Sequence, residues 1–177
     1  MTYEDNCLAH FGIRGQKWGV RRYQNEDGTL TEEGKQRYYK LFSDDKNNAQ
    51  KDVDRLEYIV KDLRKNGWKA TSVFDDDELG DAIAKEYGKK QAKKILNQQI
   101  LDFETSLAMR NHQVRYSREM SDFISKNKNI SLAKIMKESE RITRQMGKDE
   151  GIDDETVSVV AKGRAEGERD RWKSMFK

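Results

Sequence analysis

None of the 177 residues is proline. Average usage of about 5% would place roughly nine in a chain of this length. Proline removes a backbone donor and clashes with the preceding turn, so a chain without it can run long uninterrupted helices. A compositional bias of the source lineage accounts for the same absence equally well. The spacing of apolar residues favours helices. Val53, Leu56, Val60 and Leu63 recur at 3-4-3, and Leu96, Ile100, Phe103 and Leu107 at 4-3-4. Each set lines one face of a helix.

Local signals divide the chain. Residues 10–30 are rich in glycine and aromatics without helical periodicity, and Asp27-Gly28 is a hairpin-type pair. A compact loop, with a short β-hairpin at most, is expected there. Thr31 reads as the N-cap of a short helix to about Phe42, and Ser43 as the start of a second helix ended by Asn66-Gly67. Trp68–Phe74 is the best strand candidate. Asp75 and Glu78 have capping-box spacing ahead of a short helix to Tyr87, closed by Gly88. Residues 89–126 are expected to form one long helix, its stripe resuming at Val114 and Met120. Ser131 opens a further helix with Leu132, Ile135, Ile142 and Met146 inward. Asp153 or Asp154 opens the last, in which Gly163 and Gly167 weaken the middle. The expected fold is mainly α, with long helices and at most one small β-hairpin or sheet near the N-terminus. Residues 1–42 form an N-terminal motif, and residues 43–177 a helical domain.

Hydrophobic residues make up 34% and charged residues 38%, so the core is thin and most helices keep an exposed face. The net charge of +3 hides an uneven distribution. Residues 43–87 hold 8 Lys/Arg against 12 Asp/Glu, whereas residues 88–148 hold 14 against 6. A dedicated duplex binder usually presents a strong positive field, so little affinity for free duplex DNA is expected. The single cysteine cannot form an internal disulfide, and no apolar run nears the roughly 18 residues of a membrane span. The expectation is a soluble protein of a reducing compartment, without membrane association.

Chemistry is sparse. Cys7 and His10 have C-x-x-H spacing but lack a second ligand pair, and no third group orients them as a nucleophile and base. Gly12, Gly15 and Gly19 fit neither a phosphate loop nor a dinucleotide fingerprint. Asp75-Asp76-Asp77-Glu78 suits a divalent cation, but a helix N-terminus explains the same residues. No catalytic residue, metal or cofactor is therefore assigned. Two clusters read as binding candidates. Arg14, Lys17, Trp18, Arg21, Arg22 and Tyr23 interleave cations with aromatics, the chemistry of phosphate contacts and of protein interfaces. Lys89, Lys90, Lys93 and Lys94 sit at a helix start, where their charge opposes the dipole.

His10-Phe11-Gly12-Ile13-Arg14-Gly15-Gln16-Lys17-Trp18-Gly19-Val20-Arg21-Arg22-Tyr23-Gln24-Asn25, then Asp27-Gly28-Thr29-Leu30-Thr31, Gly34 and Arg37-Tyr38, resembles a recurrent segment of proteins from phages and prophages of Gram-positive bacteria. The resemblance covers about residues 8–39. That segment often occurs in small proteins or appended to head-morphogenesis proteins, so it implies a mobile-element origin. By size, charge and origin, though not by motif, the chain is similar to inhibitors of bacterial defence of the anti-CRISPR kind. Two functions are expected on this basis. The first is a non-enzymatic inhibitor docking on a host nuclease or ribonucleoprotein in the host cytoplasm. The alternative is a minor structural or assembly protein that binds phage head proteins in the virion.

Overall fold

The computed structural model describes residues 22–76 and 78–176. Five α-helices account for most of it: α1 (Glu32–Asn66), α2 (Leu79–Tyr87), α3 (Lys89–Lys126), α4 (Leu132–Asp149) and α5 (Asp154–Met175). A 3₁₀ turn at Gly67–Lys69 follows α1. No strand forms among the described residues. The hairpin region reduces to isolated antiparallel bridges, Gln24 with Leu30 and Thr29 with Ser131.

Local chemistry sets the helix ends. The Thr31 hydroxyl accepts from Gly34 N at 3.2 Å, Glu32 and Glu33 occupy the first turn of α1, and Arg64 and Lys65 the last. Gly67, at φ +59, ends α1 with its N–H on the Leu63 carbonyl. Ser131 and Asp153 cap α4 and α5 through Lys134 N and Thr156 N. α1 is continuous: the expected break at Phe42–Ser43 does not occur, and the 42/43 division falls inside it. Ser43 and Asp44 carry no cap there, and Asp45 instead receives Arg171 of α5 at 2.9 Å.

At 1.5 Å per residue, α1 and α3 are roughly 50 Å and 57 Å long. They pack antiparallel, with Arg64 Nε donating to Glu104 at 2.8 Å and Arg110 pairing with Asp52 at 3.2 Å. α4 and α5 form a second antiparallel pair, with Val157 packed against Gly147. Two cores result. The body core joins Tyr38 and Phe42 of α1, Tyr116, Met120 and Ile124 of α3, Ile135, Ile142 and Met146 of α4, and Trp172 of α5. The distal core joins Ile59, Leu63 and Ala70 with Val73, Phe74, Leu96, Ile100 and Phe103. Phe42 and Leu63 are about 30 Å apart along α1, so the second core sits at the far end of an arm. Ile59 fills that end, whereas Leu56 and Val60, assigned to the stripe in the sequence, are half-buried.

Candidate protein-binding surface

Arg14, Lys17, Trp18 and Arg21, like Cys7 and His10, lie outside the described residues. Arg22 and Tyr23 lie within them, and they differ. Arg22 is exposed and pairs with Glu33 at 2.7 Å. Tyr23 is half-buried: the Arg37 guanidinium stands 4.8 Å from its ring centroid, Arg22 5.3 Å, and the Phe176 ring 5.9 Å. Its carbonyl accepts from Thr31 N at 3.1 Å. The Tyr23 ring thus fastens the N-terminal loop to α1 and to the end of α5.

The second basic cluster stands at the arm tip. Lys89, Lys90, Lys93 and Lys94 are all exposed on the first two turns of α3. None makes an ion pair among the described residues. Gly88, at φ +83, opens α3 with no side-chain cap, and no acidic residue stands in the first turn. Their charges therefore add to the positive end of the helix dipole instead of offsetting it. Lys89 and Lys93 face a groove of about 410 Å³ between the 3₁₀ turn, α2 and α3. Lys69 joins them on its rim. Lys90 and Lys94 lie outside the groove.

Trp68, expected in the sequence only as the start of a strand, forms part of this groove. The expected strand at Trp68–Phe74 is instead the 3₁₀ turn followed by a second turn, in which Phe74 N bonds the Ala70 carbonyl at 3.0 Å. The fold turns here because Val73 and Phe74 bury against Leu96, Ile100 and Phe103, and no neighbouring strand is available to pair among the described residues. The Trp68 and Phe74 rings lie 5.2 Å apart. Gly80 admits the indole: a Cβ there would meet Trp68 Cβ at 2.5 Å. The paired signal in the sequence was Trp68 with Gly80, a bulky ring and a helical position lacking a side chain.

The acidic run beside the groove acts locally. Asp76 Oδ1 accepts from Glu78 N at 2.8 Å, and Glu78 precedes α2 without a side-chain cap bond, so the expected capping box of Asp75 and Glu78 does not form. No group of three metal-ligating side chains assembles among the described residues.

Two further polar sites lie between the helices of the body. His112 Nε2 stands 2.5 Å from Glu150 in a cleft of about 80 Å³ between α3, α4 and α5. The nearby Thr143 hydroxyl donates to the Ser139 carbonyl at 2.9 Å and so is directed along α4. In the body core, Glu168 is 3% exposed and accepts from Tyr38 at 2.8 Å and Tyr116 at 3.0 Å. Tyr116 also bonds Ser139 at 2.7 Å, and Arg171 stands 4.0 Å from the carboxylate. Burial, followed by the negative charge of Glu168, pushes both phenols well above the ordinary tyrosine range. This nearly buried carboxylate of α5 ties α1 and α3 together through the two phenols.

Residues 1–25 match a family of unknown function (DUF7211). Neither a curated protein nor a solved structure matches the chain. The family match meets the described structure only at residues 22–25. No helix among the described residues is long and apolar enough to cross a membrane.

Proposed function

We propose that the chain is a phage- or prophage-encoded, non-enzymatic protein that binds another macromolecule. Its leading target is a host defence nuclease or that nuclease's nucleic-acid complex, inhibited by docking in the anti-CRISPR manner. The observation that carries this reading is the arm tip. Lysines that make no ion pair among the described residues, and a lysine-rimmed groove, stand about 30 Å of helix away from the body core. A projecting, charged, partly apolar tip is suited to entering a channel or covering a cleft on a larger partner. The basic–aromatic residues Arg14, Lys17, Trp18, Arg21 and Arg22 are a second candidate contact. Little free duplex DNA binding is expected, because acidic residues flank the basic ones.

The test is a cleavage assay with a panel of purified guided nucleases. Inhibition by the wild type, weakened by Lys89→Glu/Lys93→Glu or by Arg21→Glu/Arg22→Glu at unchanged melting temperature, supports the reading. A triple Cys7→Ala/His10→Ala/His112→Ala variant that folds should inhibit as the wild type does. The resemblance at residues 8–39 favours a second reading, a minor structural or head-assembly protein. Failure against every nuclease together with co-purification with portal or capsid proteins would establish that reading instead.

A further inference from the structure

We propose that the groove at the arm tip docks an acidic, amphipathic segment of a protein partner. This rests on the reading of the chain as a macromolecular binder and names the chemistry that its tip would recognise. The groove has two different walls. Trp68, Gly80, Ala84, Ala92 and Leu96 give it an apolar lining, while Lys69, Lys89 and Lys93 stand on the rim. Lys89 and Lys93 are one helical turn apart, so two carboxylates spaced by a turn on a partner helix meet both. The apolar residues between such carboxylates then enter the groove, which at about 410 Å³ holds several side chains.

Nucleic acid is the poorer occupant. Asp81 stands on the same groove, and Asp75, Asp76 and Glu78 precede α2, so a uniformly negative phosphate chain leaving the lysines meets repulsion. Single-strand sites also need free aromatic faces for bases. The Trp68 ring is already engaged by Phe74 and by the Gly80 backbone, and Tyr87, exposed at the end of α2, does not line the groove. A polypeptide segregates acidic from apolar groups and presents N–H donors to Asp81.

A displayed library of random dodecapeptides, selected on the full chain, tests this. The enriched peptides should combine Asp or Glu with large apolar residues. A synthetic copy of the best peptide, followed by fluorescence anisotropy, should lose about tenfold or more in affinity to Lys89→Glu/Lys93→Glu, and should weaken as salt rises. Ala84→Phe, which fills the lining without altering charge, should weaken it as well, with melting curves confirming that both variants fold. Enrichment without acidic residues overturns the proposal, as does binding untouched by both variants. A single-stranded DNA oligonucleotide that binds more tightly than any peptide and is lost in the charge variant also overturns it. The two readings fail separately. Peptides mapped to the groove without nuclease inhibition remove only the inhibitor reading. Nuclease inhibition that survives Lys89→Glu/Lys93→Glu, with no acidic peptide selected, removes only the groove.

Discussion

Raising the pH should unfold this protein through its core before the exposed faces matter. Tyr38 and Tyr116 titrate in the unfolded chain near the ordinary tyrosine value of about 10, but in the fold burial and Glu168 hold both phenols protonated well above it. Below about pH 10 both states keep the protons and this contribution is constant. Above it the unfolded chain binds fewer protons than the folded one, so stability falls as pH rises. Each phenol removes about 1.4 kcal/mol per pH unit, and the two together about 2.7. By about pH 11.5 the cumulative loss amounts to roughly 4 kcal/mol, a large part of the 5–15 kcal/mol typical of a domain. Lysine deprotonation also acts in this range, so the informative quantity is a difference between proteins. Tyr116→Phe removes one titrating group and the hydrogen bonds to Glu168 and Ser139, while Tyr38 and Arg171 still face the carboxylate. At neutral pH it should cost about 1.5–3 kcal/mol, the usual worth of a hydrogen bond to a charged group. Above pH 10 its stability should fall less steeply than that of the wild type, by about 1.4 kcal/mol per pH unit. Urea titrations followed by circular dichroism across this range give both slopes. Equal slopes would refute the buried tyrosine–carboxylate network.

Gly80→Ala should destabilise the tip by about 1–3 kcal/mol despite alanine's better helix propensity, because the new methyl meets Trp68 Cβ at 2.5 Å and not a flexible chain end. A shift in tryptophan fluorescence with a lowered melting temperature is the expected readout, and an unchanged melting temperature would contradict it. Asp153→Ala should lower stability at neutral pH by removing the acceptor for Thr156 N. That bond holds the Asp153 carboxyl below its ordinary range, so its stabilisation is present above the unfolded carboxylate pKa and lost as pH falls through the folded one. The melting difference between variant and wild type should therefore close in acid.

The parts of the fold legible in the sequence were those fixed by neighbouring residues. Gly88 and the uninterrupted period after it gave α3 its bounds, Lys89–Lys126. Thr31, Ser131 and Asp153 each supply the oxygen that satisfies an exposed N–H, a rule that needs no tertiary context. Ser43 carried the same signal and was overridden, because α1 gains more by continuing along α3 than by ending, and Asp45 is taken by Arg171 from α5. The β-forming side chains of Trp68–Phe74 likewise found their burial against α3. The exposure of Lys89, Lys90, Lys93 and Lys94 followed from their polarity, but the groove did not. It is made by residues of the 3₁₀ turn, α2 and α3 that only the folded arm brings together. Glu168 was hidden for the same reason, since its phenol partners lie 130 and 52 residues away.

The most direct test of the account is performed in cells. A bacterium with a guided nuclease programmed against a phage is given the chain on a plasmid, as wild type or as Lys89→Glu/Lys93→Glu, and the efficiency of plating of the targeted phage is measured. For a nuclease within the chain's range, the account predicts that the wild type restores plating by about a hundredfold or more. The charge-reversed variant, present at equal level, should lose most of that restoration. Restoration of equal size by both proteins would contradict a role for the lysine-rimmed tip. No restoration by a folded wild type against any nuclease tested would contradict inhibition itself.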